Sequence, residues 1–339
     1  MSVTRDLAND SHGHNALQNA RVVRGGAIPG LPGVAAFHGA APDPASIPVV
    51  LAAPHAGRSY PGEVLAALRA PDHVLLRLED RLVDRLVEAV ARETGATFLV
   101  ADAPRAMIDL NRAVEDIDWD MLADAPRPAG HHAPHKTATR HGVVLAAGHS
   151  GYRARSGLGL VPRRLPGVGE LWRQRLHFDE LGRRIGTIHE PYHATLESLI
   201  DGVQRQWGAA LLIDLHSMPP LPGNGGPAPQ FVIGDRFGTA CDGEVIAALF
   251  AHLAAAARPV AHNRPYAGGF VLDRHARRSA GIHAVQIEID RTAYLDAAMA
   301  EPGPGFDSMV ALLSGIVRNL ADHVAGLGRN RLHWRAAAE

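Results

Sequence analysis

The stretch Ala209–Pro219, AALLIDLHSMP, predicts the fold of this chain more strongly than any other part of the sequence. An apolar run at Ala210–Ile213 leads directly into the polar segment Asp214–Ser217, and two prolines then interrupt the chain. A short apolar run without alternation, bounded by such breakers, is typical of a strand that is buried on both faces. Because ligands of open α/β sheets bind beyond the carboxyl ends of the strands, this stretch is expected to reach a binding site.

Two further stretches repeat this arrangement. Ile47–Gly57, IPVVLAAPHAG, is an apolar run that leads to His55, and His283–Arg291, HAVQIEIDR, carries Glu288 and Asp290 on one face. Histidines and acids at the ends of buried strands are expected to meet at one site. Imidazole and carboxylate ligands suit zinc when one coordination position stays open. The alternative for His216 is a simple hydrogen bond to a neighbouring residue.

The composition is typical of a large globular protein without a strong charge. The 339 residues are 46% hydrophobic and 20% charged, and the formal net charge is −1, which argues against nucleic acid or an acidic membrane as a partner. The single cysteine, Cys241, excludes an intrachain disulfide and a cysteine-rich metal site. No apolar run reaches the ~20 residues of a membrane helix, and the N-terminal sequence lacks the pattern of a signal peptide. We therefore expect a cytoplasmic enzyme or binding protein.

Predicted strands and helices alternate along the chain. The strands are expected at Pro48–Ala53, Thr97–Ala101, Ala209–Pro219, Phe231–Gly234 and His283–Asp290. The helices are expected at Val74–Gly95, Phe178–Gly208 with an interruption at Pro191, Gly243–Ala257 and Asp307–Leu327. This alternation predicts an α/β fold with a mostly parallel sheet and helices on both faces. We expect a disordered segment at 1–20 and a single domain at 21–335, with a lid-like insertion at about 113–168.

A metal site formed by His55 and His216 also needs an acidic ligand. The zinc-enzyme spacing His-x-x-Glu is missing, because an arginine stands three residues after His55. The nearest acids are Glu79 and Asp80 in the next predicted helix, and we take Asp80 as the ligand. Two alternatives stay open: these acids form an ordinary solvated helix face, or Asp214 binds the metal or supports a histidine.

Glu288 lies within the last apolar run, where a carboxylate is costly unless it is paired or bound to a metal. Removal of water raises the pKa of such a group. A raised pKa suits a general base that takes a proton from water and returns it to a leaving amine. The alternative is a buried ion pair between Glu288 and an arginine. We interpret Glu288 as the general base.

A group of donors follows the predicted strand at Thr97–Ala101. Arg105, Asn111 and Arg112 lie close together in sequence, and Arg291 follows the last strand. The planar guanidinium group of arginine binds a carboxylate at two points. Donors of this kind beside metal ligands predict a small anionic substrate.

A series of sequence blocks between Pro48 and Leu295 resembles the N-formylglutamate amidohydrolase family. In chain order, the blocks are PHAGRSYP, EDRLVDRL, PRAMIDLNR, GLGLVPR, PYHATL, IDLHSMP, FVIGDRFGT, NRPYAGGF and QIEIDR. The resemblance implies a three-layer α/β/α fold of the zinc-carboxypeptidase-like type, related to aspartoacylase-type deacylases. It also implies the hydrolysis of N-formyl-L-glutamate to formate and L-glutamate, a step of histidine degradation.

The same resemblance implies roles for individual residues. Matched by motif, the ligands of the metal, expected to be zinc, are His55, Asp80 and His216. Glu288 matches the general base that takes a proton from a metal-activated water. Arg105 matches a residue that polarises the scissile carbonyl. Asn111 and Arg112, together with Arg291, are then expected to hold the carboxylates of the substrate.

Other functions stay open at this stage. A deacylase for another N-acyl amino acid, or a small metallocarboxypeptidase, would share the metal and the base and differ only in the pocket. A binding protein that kept the fold and lost catalysis belongs to a different class. Metal analysis separates that case from the enzymes, because a stoichiometric metal beside an intact Glu288 favours catalysis.

Overall fold

The computed structural model describes residues 16–69, 71–124, 137–140, 143–146, 154, 156–223 and 225–336. Much of the predicted disordered segment, at 1–15, lies outside the described residues, as do the parts of the predicted lid-like insertion at 125–136, 141–142, 147–153 and 155.

The described residues form strands and helices with the following bounds. The strands are β1 (Arg21–Gly25), β2 (Phe37–Ala41), β3 (Val49–Ala53), β4 (Thr97–Ala101), β5 (Thr137–Arg140), β6 (Val143–Ala146), β7 (Arg164–Leu165), β8 (Gly169–Glu170), β9 (Ala210–Met218), β10 (Phe231–Gly234), β11 (Val260–His262) and β12 (Ile282–Asp290). The α-helices are α1 (Gly62–Ala67), α2 (Pro71–Leu78), α3 (Val83–Thr94), α4 (Phe178–Arg184), α5 (Glu190–Trp207), α6 (Gly243–Ala255), α7 (Phe270–His275) and α8 (Phe306–Ala336). Short 3-10 segments lie at Trp119–Met121, Arg278–Ala280 and Arg291–Ala293.

Within the described part of the chain, the main sheet contains eight strands in the order β1-β2-β4-β3-β9-β12-β10-β11. Its centre, β4-β3-β9-β12, is parallel. The pairs β1-β2, β2-β4 and β10-β12 are antiparallel, and β11 runs parallel to β10. The mostly parallel mixed sheet predicted from the sequence is thereby confirmed. Strands β5-β6 and β7-β8 form separate two-stranded ribbons.

Helices cover both faces of the main sheet, and an apolar core lies on each face. Every residue of β9 is buried, as predicted for its apolar run. Because successive side chains of a strand point to opposite faces, Leu211 and Ile213 join the core formed with α3, α6 and α8. Ala210 and Leu212 join the other core, which includes α4 and α5. The predicted three-layer α/β/α fold is therefore confirmed.

The prediction of a single helix at Val74–Gly95 is wrong, because the segment forms two helices, α2 and α3, with a turn between them. Leu82, between them, has a φ of 59°, which no continuous right-handed helix allows. The Asp80 N–H donates instead to the His55 carbonyl at 2.9 Å, so a contact distant in sequence replaces the helical hydrogen bond. Glu79 and Asp80 are both buried in this turn, and the alternative of a solvated helix face is also wrong.

The helix predicted at Phe178–Gly208 is present as α4 and α5, joined by a π-helical turn at Ile185–His189. Pro191 lies in the first turn of α5, at the interruption predicted from the sequence. The last helix is longer than its apolar pattern predicts and ends at Ala336 rather than Leu327. Within the described part of the chain, no helix is both long enough and apolar enough to cross a bilayer.

Candidate metal and active site

The predicted site residues meet at the carboxyl ends of the central parallel strands. His55 follows β3, His216 lies near the end of β9, and Glu288 lies near the end of β12. A cavity of about 280 Å³ opens at this edge of the sheet. Its lining includes all of the residues that the sequence assigned to the site, namely His55, Asp80, Arg105, Asn111, Arg112, His216, Glu288 and Arg291.

Three buried side chains form a cluster that suits a metal ion. One ligand atom each from His55, Asp80 and His216 lies within 4.8 Å of the other two. The Nδ1 atom of His216 is 2.8 Å from Asp80 Oδ2, and the Nδ1 atom of His55 is 3.5 Å from the same oxygen. The structure therefore brings the residues predicted as metal ligands together around one point.

A carboxylate lies behind each of the two histidines. The Nε2 atom of His55 is 2.6 Å from Asp109 Oδ1, and the Nε2 atom of His216 is 2.9 Å from Asp214 Oδ2. An Nε2–H that donates to a carboxylate leaves Nδ1 as the atom directed at Asp80, which is the arrangement found behind many metal-binding histidines. Asp214 thus takes the supporting position that the sequence left open. No role was predicted for Asp109, whose only signal was its place in the IDLNR block.

Charge in this cluster is balanced by close pairing. Burial alone would lower the pKa of His216, but the nearby carboxylates of Asp214 and Asp80 raise it well above its usual value. Burial likewise tends to raise the pKa of Asp80, but hydrogen bonds from His216 and His55 hold it well below the usual range. Asp80 is therefore ionised at neutral pH. The raised pKa of His216 means that its imidazole holds a proton on each nitrogen while no cation is bound, and a divalent cation would take the place of the proton on Nδ1.

The turn between α2 and α3 decides which acid faces the histidines. Glu79 points away from them, since its carboxylate accepts from Tyr60 at 3.1 Å and from Arg81 at 2.9 Å. Asp80 points toward them and also accepts from the Ser217 hydroxyl at 3.2 Å. Of the two neighbouring acids that the sequence left open, Asp80 is the one placed in the cluster.

Arg291 anchors the same turn. Its Nη1 donates to the Leu76 carbonyl at 3.0 Å, and its Nη2 donates to the Glu79 carbonyl at 2.7 Å. Its Nε donates to Ser217 Oγ at 3.0 Å, and Asp80 Oδ1 lies 3.4 Å from Nη2. The guanidinium group lines the cavity, but each of its nitrogens already has a partner within the protein.

Glu288 is buried beside the cluster. Burial raises the pKa of its carboxyl to about 8, although the charges of His216 and Arg105 oppose this increase. Its Oε1 accepts a hydrogen bond from Gln286 Nε2 at 2.9 Å. Among the described residues, no arginine forms an ion pair with Glu288, so the predicted alternative of a buried pair is not found there. Gln286 was not predicted as a site residue, and its only signal was its position two residues before Glu288.

The segment that contains Asn111 and Arg112 is held from both sides. Arg105 Nε donates to Asp109 Oδ2 at 2.9 Å, and Asn111 Oδ1 accepts from the Val271 N–H at 2.9 Å. Arg112 Nη1 donates to the Asn111 carbonyl at 2.7 Å. These bonds direct Arg105, Asn111 and Arg112 toward the cavity.

Two buried histidines that were not predicted as site residues hold the backbone of this segment. His189 Nε2 is 2.9 Å from the Arg112 carbonyl, and His193 Nε2 is 2.9 Å from the Leu110 carbonyl. Each imidazole N–H donates to a carbonyl, so alternate residues of the segment are fixed from behind. His193 lies in the PYHATL block, and His189 ends the π-helical turn before it. The sequence signal for these two residues was their spacing, since histidines four residues apart lie on the same face of a helix.

The family model of N-formylglutamate amidohydrolase matches residues 47–295. The chain belongs to the N-formylglutamate amidohydrolase family. This match confirms the resemblance seen in the sequence blocks, and it includes every residue predicted for the site.

Individual relatives agree with this assignment. The chain is 27% identical to the N-formylglutamate deformylase of Pseudomonas aeruginosa over 293 residues, which cover 84% of this chain and 95% of the relative. It is 30% identical to the N-formylglutamate deformylase of Pseudomonas putida over 254 residues, which cover 68% of this chain and 82% of the relative. The crystal structure of N-formylglutamate amidohydrolase from Ralstonia eutropha JMP134 superposes with a TM-score of 0.73 at 30% identity, over 86% of this chain and 99% of that one. A gene product of Agrobacterium tumefaciens, 16% identical, shares the fold with a TM-score of 0.56, over 84% of this chain and 92% of that one.

Proposed function

We propose that this protein hydrolyses N-formyl-L-glutamate to formate and L-glutamate, and that it uses one zinc ion. The observation that carries the proposal is the convergence of His55 Nδ1, His216 Nδ1 and Asp80 Oδ2 beside Glu288. Family membership supports the choice of substrate, because relatives over most of the chain are N-formylglutamate deformylases.

The donor set fits a divalent cation. Two imidazole nitrogens and one carboxylate oxygen, with space for a further ligand, are the usual protein ligands of a catalytic zinc site. Asp109 and Asp214 hold the histidines in the orientation that such a site requires. When bound, the metal supplies Lewis-acid chemistry, which lowers the pKa of water and polarises a carbonyl group.

Glu288 and Arg105 act on the reacting atoms in this proposal. Glu288 takes a proton from water as the water attacks the formyl carbon, and passes it to the nitrogen that leaves. Its pKa, raised by burial to about 8, suits a group that must both accept and donate a proton. Arg105, whose Nε is bound to Asp109, places its remaining guanidinium nitrogens near the developing oxyanion and stabilises its charge.

Arg112 binds a substrate carboxylate in this proposal, because it lines the cavity and carries a positive charge. Its Nε and Nη1 donate to the carbonyls of Leu158 and Asn111, which hold the guanidinium group at the cavity wall. Asn111 and Arg291 were predicted to bind the substrate, and we now propose that they hold the site in place instead. The polar atoms of Asn111 contact Val271 and Gln286, and those of Arg291 contact the turn at Asp80. The cavity of about 280 Å³ lies at the lower limit of the ~300–1,000 Å³ that ligand pockets usually occupy, which suits a small substrate.

A substrate panel tests the proposal. The zinc-loaded protein is assayed with N-formyl-L-glutamate, N-formyl-L-glutamine, N-acetyl-L-glutamate and N-succinyl-L-glutamate, and release of the free amino acid is measured. The highest kcat/KM is expected for N-formyl-L-glutamate. A higher kcat/KM with the acetyl or succinyl compound would assign a different deacylase. No turnover of any compound by zinc-loaded protein would favour the binding-protein alternative.

A further inference from the structure

We propose that Gln286 is a positioning residue, which orients Glu288 so that Oε2, and not Oε1, carries the proton during the reaction. Gln286 and Glu288 are two residues apart on β12, so their side chains lie on the same face of the sheet. Both are buried, and both line the cavity. The inference rests on the proposed function, because it concerns the base of that reaction.

The direction of each hydrogen bond can be assigned from one backbone group. The Val271 N–H only donates, so the atom of Asn111 that lies 2.9 Å from it is the oxygen Oδ1. The amide nitrogen of Asn111 then faces Gln286, where it donates to Oε1 at 3.3 Å. Gln286 must in turn direct its own nitrogen at Glu288, where Nε2 donates to Oε1 at 2.9 Å.

Close packing holds Asn111 at the start of this chain of hydrogen bonds. A Cβ atom at Gly269 would lie 2.4 Å from Asn111 Oδ1, so only glycine allows this approach. Asn111, Gln286 and Glu288 are buried, and a buried amide left without a hydrogen-bond partner destabilises the folded state. The orientation of Gln286 therefore follows from Gly269 and Val271 at the start of α7, outside the strand that carries Glu288.

The two oxygens of Glu288 consequently differ. Oε1 accepts the N–H of Gln286, and a proton on Oε1 would weaken that bond, because the hydroxyl oxygen of a carboxylic acid is a poorer acceptor than its carbonyl oxygen. Among the described residues, Oε2 has no hydrogen-bond partner, and Glu288 lines the cavity. Oε2 therefore accepts the proton from water and donates it to the leaving nitrogen, while Oε1 keeps its bond to Gln286 in both protonation states.

The first test replaces Gln286 with methionine, which has a similar length and no hydrogen-bonding amide. In Gln286→Met, kcat should fall by about 10–100-fold, the range for a lost hydrogen bond to a charged group, with KM changed less than ~3-fold. Bound zinc, measured by mass spectrometry, should stay equal to wild type. An unchanged kcat would overturn the proposal. Zinc lost together with kcat would also overturn it, because Gln286 would then support the metal site instead.

A second variant separates the two hydrogen bonds of Gln286 and guards against misfolding of the first. Gln286→Glu keeps the side-chain size and still accepts from Asn111, but it replaces the N–H that Glu288 Oε1 accepts with a carboxyl oxygen. It should lose kcat as Gln286→Met does, and full activity would overturn the proposal. The control is Gln206→Met, which removes another glutamine amide with two hydrogen bonds, both to Ala45 at 2.7 Å, and should leave kcat unchanged.

A crystal structure of Gln286→Met gives a readout that needs no activity. The Glu288 carboxylate should be rotated from its wild-type orientation, because nothing retains Oε1, and an unmoved carboxylate would overturn the proposal. If the wild-type protein does not hydrolyse N-formyl-L-glutamate, the proposed function fails. The rotation of Glu288 still decides whether Gln286 positions it.

Discussion

Glu288 and His216 are direct partners in the parallel pairing of β12 and β9, so a proposed base and a proposed metal ligand lie side by side. Neighbouring strands of a sheet are separated by ~4.8 Å, a spacing set by backbone hydrogen bonds. Both residues are buried, and neither is carried by a loop. Their relative position is therefore held by the rigid centre of the sheet, as a reaction that moves a proton over a short distance requires.

Removal of a histidine ligand should abolish zinc binding. In His216→Ala or His55→Ala, only two of the three ligating side chains are left, and zinc measured by mass spectrometry after dialysis should be lost. Asp80→Ala should bind zinc more weakly. Glu79→Gln is the matched control, because this neighbouring buried acid points away from the histidines, and it should keep its zinc. Equal zinc in wild type and His216→Ala would refute the assignment of the site.

Replacement of the proposed base should affect turnover rather than binding. Glu288→Gln keeps the size of the side chain but cannot accept a proton, so kcat should fall by about 10²–10⁴-fold with KM little changed. The zinc content should equal that of wild type, since Glu288 is not a ligand in this proposal. A fully active variant would exclude Glu288 as the base, and a variant without zinc would make it a ligand.

Loss of the Arg112 guanidinium should weaken substrate binding. In Arg112→Ala, KM for N-formyl-L-glutamate should rise at least ~10-fold, because a hydrogen bond to a charged group contributes about 1.5–3 kcal/mol. Steady-state kinetics with N-formyl-L-glutamine provide the comparison, since that compound lacks the side-chain charge and should be a poorer substrate of the wild type. Equal turnover of both compounds by the wild type would show that the side-chain carboxylate is not recognised.

Acid should destabilise the protein partly through three buried histidines: His189 and His193, which hold the segment at Arg112, and His275, whose Nε2 lies 3.0 Å from His193 Nδ1. Burial lowers the pKa of His189 to about 4 and that of His275 to about 3, and it also lowers the pKa of His193. Unfolded histidines, with a pKa of about 6.5, bind protons that these folded ones exclude, so stability falls as the pH falls below about 6.5. Urea unfolding of wild type and His275→Leu at pH 7 and pH 5 measures this effect. The variant should lose less stability on acidification, and an equal loss would contradict the assignment.

His38 should have the opposite pH dependence. Its imidazole contacts Asp102 at 2.8 Å and Glu88 at 3.0 Å, and hydrogen bonds to these carboxylates raise its pKa to about 9. The folded state therefore binds this proton more tightly than the unfolded state does. The stabilisation is complete below pH ~6.5 and is lost as the pH rises through about 9.

Urea unfolding of wild type and His38→Gln between pH 6.5 and pH 9.5 measures this contribution. The difference in free energy of unfolding should shrink as the pH rises, because the wild-type imidazolium loses its proton. Glu88→Gln, which removes one of the two carboxylates, should show a smaller dependence than wild type. A difference that stays constant over this range would mean that His38 does not titrate between these values.

The amino-acid sequence by itself determined the central strands and much of the candidate site. Apolar runs such as Ala210–Ile213 are local signals, and a run of this length between chain breakers favours a strand buried on both faces. Because the carboxyl ends of adjacent parallel strands share one edge of the sheet, the meeting of His55, His216 and Glu288 followed from their positions at strand ends. The sequence blocks also placed the chain in its family without any coordinates.

Only the tertiary structure decided how the polar atoms of the site are paired. The choice of Asp80 over Glu79 depends on a turn that breaks a helical pattern and is stabilised by His55 and Arg291. Asp80 and His216 are 136 residues apart in sequence, and no local pattern encodes a hydrogen bond between them. Apolar periodicity in the sequence predicts which residues are buried, because the apolar side chains of one helix or strand face the core together. A hydrogen bond depends on the distance between two atoms, and here that distance exists only after strands and turns distant in sequence have packed together.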